Sequence, residues 1–453
     1  MHRILALTAS LAILVPLPVN AETMEQVYGD WLTAFNSGEE AALQAFYGER
    51  MGDPDAAFAI DTALATCGFD PVRVETMTER TITVLLAERC FPALQRLHIE
   101  LGPGGETKLG ALELTPLALT VEGATKAVAR FTGRLAARDD FAGSLLITRH
   151  GQSILAHSWG AGVGEEGKPI TLDTPMYLAS AGKMFTAVSI LQLVDAGQIV
   201  LDAPLGTYLT DYSNKEMAKV TIRQLLQHRG GTGDTHILAR TDDVNRAGVR
   251  TIDDIIALND DRAPSFSPGS EAEYSNYGFI LLGAVIERVS GQSYYDYVSD
   301  HIFSPGGMIT ASYPDRDNSQ TIATGLTTFY GEEDDPVSNI EILPWRGMPD
   351  GGGVASANDL QSFFNAMQRG TLLSPAMFDL ATTPGQTPWY GAGFVTGSAP
   401  YVSWGHGGNS YGMDVAAHYY PAVDTTFICL ATRDMACNRL IWFWAPKVLG
   451  SSE

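Results

Sequence analysis

Ser180-Ala181-Gly182-Lys183 opens an apolar run, Met184-Phe185-Thr186-Ala187-Val188-Ser189-Ile190-Leu191-Gln192-Leu193-Val194, which closes at Gly197. An apolar run of that length, with a glycine just past its end, predicts a buried helix. Ser180 then stands at the helix N-terminus, where the dipole and the backbone N–H groups favour an oxyanion. Lys183, three residues on, lies on the same face one turn away. A serine hydroxyl is a weak nucleophile until a positioned base takes its proton, and a lysine amine in apolar surroundings can be that base. Alone the pattern says little. About one or two chance matches are expected in a chain this long, and an N-cap role would account for Ser180.

Two further motifs follow in order. Tyr274-Ser275-Asn276 lies between the turn Ser267-Pro268-Gly269 and an apolar helix from Phe279 to Val289 that ends at Gly291. A tyrosine at a loop–helix junction can shuttle a proton, and an asparagine amide can donate to a substrate carbonyl. Tyr212-Ser213-Asn214 has the same pattern, but it precedes the charged Lys215-Glu216 and reads as a solvated loop. His406-Gly407-Gly408, in the string Trp404-Gly405-His406-Gly407-Gly408-Asn409, sits at the end of a candidate strand. Its glycines let a substrate approach the strand edge, and its imidazole can donate or accept near the nucleophile. His228-Arg229-Gly230 follows the helix Ile222–Gln227 and reads as a structural turn.

Order and spacing carry more than any single motif. A Ser-x-x-Lys opening a buried helix, a Tyr-x-Asn well downstream and a glycine-rich strand near the end resemble the serine β-lactamase and penicillin-binding-protein superfamily. Within it, the chain looks like the branch of class C β-lactamases, DD-carboxypeptidases and related esterases. Gln224-Leu225-Leu226-Gln227-His228, Phe266-Ser267-Pro268-Gly269 and Gly351-Gly352-Gly353-Val354-Ala355-Ser356 support the resemblance, which covers roughly Arg134 to Leu449. It implies that Ser180 attacks a carbonyl to form an acyl-enzyme, with Lys183 and Tyr274 sharing base and acid duties. It implies that Asn276 orients the acyl group, and that the N–H groups of Ser180 and Asn409 form the oxyanion hole. His406, Gly407 and Gly408 would border the substrate. The chain departs from the pattern in two places. His406 stands where class C β-lactamases carry lysine, and Gly407 where the family often has a hydroxyl residue. A site lacking those polar groups discriminates poorly for anionic β-lactams. The expectation is therefore an esterase or a DD-peptidase or aminopeptidase-like enzyme. The alternatives are a class C-like β-lactamase, or a non-enzymatic penicillin-binding-like sensor of cell-wall fragments. No cofactor and no metal is called for.

The rest of the chain bounds this reading. Its 453 residues carry a net charge of −23, which excludes a nucleic-acid binder for want of a basic footprint. His2 and Arg3, the apolar run Ile4 to Leu17 and the small residues ending at Ala21 read as a signal peptide over residues 1–21. The mature protein is thus expected to be exported, periplasmic or secreted, with no membrane span, and to meet a small-molecule ester, peptide or cell-wall-derived substrate. Cys67, Cys90, Cys429 and Cys437 allow two local disulfides or four buried thiols, and none has metal-site spacing. The acidic run Glu332-Glu333-Asp334-Asp335 reads as a solvated loop.

The fold class expected is α+β. Residues 22–120 read as three helices followed by an antiparallel meander, a small domain whose opening weakly resembles cone folds. In the first helix Val27, Trp31, Leu32 and Phe35 share a face; Ser37 and Glu40 read as a capping box for the second. Residues 121–453 form the hydrolase-like domain. A helix and the hairpin Gly143–Arg149 with Ser153–Gly160 open it, and strand patterns near Tyr390–Thr396, Tyr401–Gly405, Met413–Tyr419 and Thr425–Thr432 close it before a last helix. Strands at both ends imply one antiparallel sheet flanked by helices, with a helical subdomain between.

Overall fold

The computed structural model describes residues 23–91, 93–102, 108–117, 119–163, 167–235, 249–259, 261–329, 336–340 and 342–451. Residues 1–21, read as a signal peptide, and the acidic run at 332–335 lie outside these residues. The chain divides into two compact units, Met1–Ala118 and Leu119–Glu453.

In the first unit, helices α1 (Met24–Ser37), α2 (Glu40–Met51) and α3 (Ala57–Thr66) precede strands β1 (Phe69–Met77), β2 (Thr81–Glu88), β3 (Leu94–Leu101) and β4 (Leu109–Pro116). The strands pair antiparallel in sequence order. Trp31, Phe35 and Phe69 stack at the centre of its core. The capping box forms at Thr23 and Gln26, not at Ser37 and Glu40. Ser37 is instead the last residue of α1, where its hydroxyl donates to the Ala34 carbonyl. A disulfide joins Cys67 to Cys90.

The second unit opens with α4 (Val121–Ala137) and the hairpin β5 (Gly143–Arg149) and β6 (Gln152–Trp159). Then come α5 (Lys183–Asp195), α6 (Ile222–Leu226), α7 (Asn276–Ser290) and α8 (Ala357–Gln368). The unit closes with β7 (Val395–Gly397), β8 (Ser403–Ser410), β9 (Met413–Tyr420), β10 (Thr425–Ala431) and α9 (Ala436–Leu449). Six strands form one antiparallel sheet in the order β7-β8-β9-β10-β5-β6. Early and late strands meet where β10 pairs with β5, Ala431 opposite Gly143 and Thr425 opposite Arg149. The other local disulfide, Cys429–Cys437, ties β10 to the start of α9.

Helix α5 is the axis of this unit. Residues Lys183 through Leu191 are all buried, and an apolar-all-round helix must lie inside a core. It packs against α7, and Phe185 meets Phe303 and Phe363 edge-on. Whatever stands at the N-terminus of α5 is therefore held by the whole core.

Candidate active site

Ser180 lies in a single 3-10 turn, Ala179–Gly182, that leads directly into α5. Ala179 sits in the left-handed region at φ 44°, a conformation that costs a non-glycine residue energy and re-aims the chain at the serine. Two glycine-rich segments grip this turn. Gly352 N–H donates to the Ala179 carbonyl at 3.0 Å, and Leu178 N–H donates to the Gly353 carbonyl at 3.0 Å. From the other side β8 crosses over it. A Cβ built on Gly408 would stand 2.8 Å from Ser180 N and 3.0 Å from Ala181 N, with the Leu178 carbonyl oxygen nearer still. Only glycine lets the strand come that close. The sequence pattern ended this strand at Gly405, but β8 runs on through His406-Gly407-Gly408-Asn409 to Ser410. The glycines that resemble a strand end are what press the strand against the turn.

Lys183 is fully buried, and its side-chain nitrogen is the hub of the site. Nζ lies 3.2 Å from Ser180 Oγ and 2.6 Å from Asn276 Oδ1, and it also donates to the Asp350 carbonyl. Asn276 is held in turn, because its Nδ2 donates to Asp234 Oδ1 at 2.6 Å. Ser275 caps α7, accepting from Gly278 N–H at 3.0 Å, and so sets the junction that carries both Tyr274 and Asn276. Tyr274 is 37% exposed at the mouth of the site, its ring 4.8 Å from Lys183 Nζ.

Ser180, Lys183, Tyr274, Asn276, Gly408 and Asn409 are thus brought together around one turn. His406 lies beside them but faces inward. Its Nδ1 donates to the Gly407 carbonyl, which leaves Nε2 to accept from the Tyr390 hydroxyl at 2.9 Å. Both ring nitrogens are occupied. Burial, and then the neighbouring Lys183 charge, push its pKa down to about 3, so the imidazole is neutral. Gly407 pairs with Ala416, and a Cβ there would meet only the Val415 carbonyl, at 3.3 Å.

Four contributors escaped the sequence reading. His228 does occupy a turn (φ 57°), but its buried ring also packs 4.4 Å from Tyr274 and 4.4 Å from Tyr390. Its Nδ1 accepts from Ser275 N–H at 3.1 Å. Burial holds this histidine well below its usual pKa, hence neutral. Asp234 anchors Asn276, and Tyr390 fixes His406. The Asp350 carboxyl is raised to about 6 by burial, against the pull of Lys183. The one available signal was position: His228 lies within the stretch Gln224–His228, which supports the family resemblance. In the alternative Tyr212-Ser213-Asn214, read as a solvated loop, Ser213 is exposed and Asn214 half-buried, but Tyr212 is buried in the core with its hydroxyl 2.9 Å from that of Tyr277.

Two cavities meet at Ser180 and Asn409. The smaller, about 130 Å³, is bordered by Asn276, Tyr177, Met348, Asp350 and Met413. The larger, about 740 Å³, is bordered by Tyr274, His406, Trp389 and the outer face of β8–β9. Of the other tryptophans, Trp442 also borders the larger cavity and Trp404 is core, while Trp345 lies under the Arg250 guanidinium at 4.1 Å. Among the described residues no group of three or more His, Cys, Asp or Glu is placed to hold a metal ion, and no helix is long and apolar enough to cross a membrane.

The profile of the beta-lactamase family matches residues 128–436. A penicillin-binding protein of Bacillus subtilis strain 168 is 30% identical over 286 residues, covering 59% of this chain and 62% of its own length. Esterase EstB of Burkholderia gladioli is 31% identical over 213 residues, covering 44% of this chain and 54% of its own. The chain thus spans less than two thirds of the length of these curated relatives. The crystal structure of a penicillin-binding protein from Bacillus halodurans superposes with a TM-score of 0.62 at 27% identity, over 69% of this chain and 98% of that one.

Proposed function

The chain belongs to the beta-lactamase family, and from that premise we propose that it is an exported serine hydrolase that cleaves ester or amide bonds through an acyl-enzyme. The observation that carries the reading is the buried Lys183 Nζ at 3.2 Å from Ser180 Oγ, on a turn locked by β8 and the Gly351–Gly353 segment.

In this reading Lys183 takes the Ser180 proton as Oγ bonds to the carbonyl carbon. The carbonyl oxygen gains the negative charge facing Ser180 N–H and Asn409 N–H. On collapse the bond to the leaving oxygen or nitrogen breaks, and the proton passes to that atom through Tyr274 at the cavity mouth. Water then attacks the acyl-enzyme and gives a proton to the same base, which passes it to Ser180 Oγ as the Oγ–carbonyl bond breaks and the acid leaves. Asn276, tied to Lys183 and Asp234, orients the acyl group.

The neutral, inward-facing His406 supports a preference for uncharged substrates. It offers no cation to a substrate carboxylate, where a lysine would supply one. That favours esters and neutral amides over β-lactams and free D-alanyl termini. The N-terminal signal sequence and two disulfides suit an oxidising compartment outside the cytoplasm; the exported form should begin at Glu22, which mass spectrometry of secreted protein would check.

Labelling with a fluorophosphonate tests the chemistry. Wild type should label and turn over p-nitrophenyl acetate, whereas Ser180→Ala should do neither. Equal labelling of both would remove Ser180 from the nucleophile role, and no label on wild type would point to a binding module.

A further inference from the structure

The larger cavity is more than the entrance to Ser180. Helix α9 covers only part of the outer face of the sheet. Its buried residues Ala436, Cys437, Leu440, Phe443, Trp444 and Val448 pack inward. Asn438, Ile441 and Trp442, together with the buried Ala445 and Leu449, border the cavity. Across from them stand Ala416, His418 and Tyr420 of β9. The walls are mostly apolar. Trp442 is 74% exposed and Tyr401 37%, an arrangement of large rings in water that marks a binding surface rather than a finished core. Among the described residues that border it there is no lysine or arginine and one carboxylate, Asp414; His418 is neutral, with its pKa pushed down to about 4 by burial.

The two cavities also differ in which residues of the site they touch. Asn276, the residue read as orienting the acyl group, borders only the small one. Tyr274, the residue read as protonating the leaving atom, borders only the large one. Both share Ser180 and Asn409. Building on the serine-hydrolase reading above, we propose that the aromatic cleft between α9 and β8–β9 is the leaving-group site, and that the substrates join a compact acyl group to a bulky, uncharged, apolar alcohol or amine. A carbonyl held at Ser180 puts its acyl substituent into about 130 Å³ and its departing group into about 740 Å³. The atoms balance as before: Ser180 Oγ replaces the departing oxygen or nitrogen, that atom leaves with the proton, and water later takes the acyl group.

Two series of alkyl esters test this, because alkyl alcohols leave with similar ease and differ mainly in bulk. In the first series the acyl group stays acetyl and the alcohol grows from ethanol to 3-phenylpropanol. In the second the alcohol stays ethanol and the acyl group grows from acetyl to decanoyl. kcat/KM should rise at least ten-fold along the first series and fall at least ten-fold along the second. The 3-phenylpropyl to ethyl ratio should drop about ten-fold in Trp442→Ala, roughly what loss of one large aromatic contact area gives, and should recover in Trp442→Phe. Ala416→Leu, which fills the cleft from its floor, should lower the same ratio. The opposite order of the two series, or a ratio unmoved in both Trp442→Ala and Ala416→Leu, would overturn the proposal while leaving the hydrolase reading intact. Activity that survives in Ser180→Ala, or no turnover of any ester by wild type, would overturn both.

Discussion

Gly408→Ala puts the oxyanion geometry to a direct test. The new Cβ would stand 2.8 Å from Ser180 N, where ordinary contact begins at 3.4 Å. The Leu178 carbonyl oxygen stands nearer still, and all the opposing atoms belong to the backbone of a turn locked by hydrogen bonds, so the strand must retreat by roughly 1 Å to restore contact. Both proposed oxyanion donors, on Ser180 and Asn409, then separate. A misplacement near 1 Å can cost about 100-fold, and losing one oxyanion donor costs about 100- to 1000-fold in kcat. We expect kcat for p-nitrophenyl acetate to fall about 100-fold with KM changed less than three-fold, since substrate still fits and only the charged intermediate loses its partners. Overpacking should lower stability by about 1–3 kcal/mol, visible in a thermal melt. Gly407→Ala is the matched control. Its Cβ meets one carbonyl at 3.3 Å, so kcat should stay within about three-fold of wild type. If Gly408→Ala kept full activity, or if Gly407→Ala lost as much, the claim that β8 is pressed onto Ser180 at that one residue would fail.

Other outcomes follow from the same geometry. His228→Ala removes the ring beneath Tyr274 and leaves Ser275 N–H without its acceptor; stability should fall by about 1–3 kcal/mol and kcat at least ten-fold, whereas a stability loss with unchanged kcat would make the ring mere filling. His418 has a folded pKa of about 4 against an ordinary 6.5, so its neutral form contributes stability that is present above pH 6.5 and lost as pH falls towards 4. Melting curves of His418→Asn should therefore decline less than wild type over that window. Asp350 and Asp414, both raised to about 6, pull the opposite way, so the difference between the two proteins is the readout; parallel curves would remove His418 from the balance. The paired change Cys429→Ala and Cys437→Ala opens an eight-residue link and should cost about 2.5 kcal/mol in urea, with an unchanged m value.

What was legible in the sequence was whatever depends on near neighbours. Ser180 and Lys183 are three residues apart, and an all-apolar run after them can only be an internal helix. The hairpin β5–β6 and the late strands followed from alternation and turns, so the sheet built from both ends of the domain followed too. What depended on distant partners was not legible. His228, Tyr274, Tyr390 and His406 come from four separated segments, and no local pattern tells a turn histidine from one whose ring also supports a tyrosine. Asp234 has no motif around it; its role exists only because Asn276 lies 2.6 Å away. The glycines of His406-Gly407-Gly408 misled in the opposite direction. Glycine weakens isolated strands, so it suggested an ending, but here the neighbouring strand and the nucleophile turn supply what the missing side chains do not. Ser37 and Glu40 had the right spacing for a capping box, yet α1 extends through Ser37 and uses its hydroxyl for its own last turn.

The pairing of β10 with β5 has a consequence for assembly. Gly143 and Ala431 face each other across 287 residues of intervening chain. Closing so long a loop is entropically slow, and the strand that closes it is the central partner of the sheet, not an edge. Loss of β10 would therefore divide the sheet into β5–β6 on one side and β7–β9 on the other, taking β8 away from its seat over Ser180. Ribosomal synthesis delivers the serine and its lysine long before this last join can be made. We expect the proposed nucleophile to be without β8, which carries the proposed oxyanion donor, until late in folding, and activity appearing after most of the secondary structure would be the kinetic signature of that order.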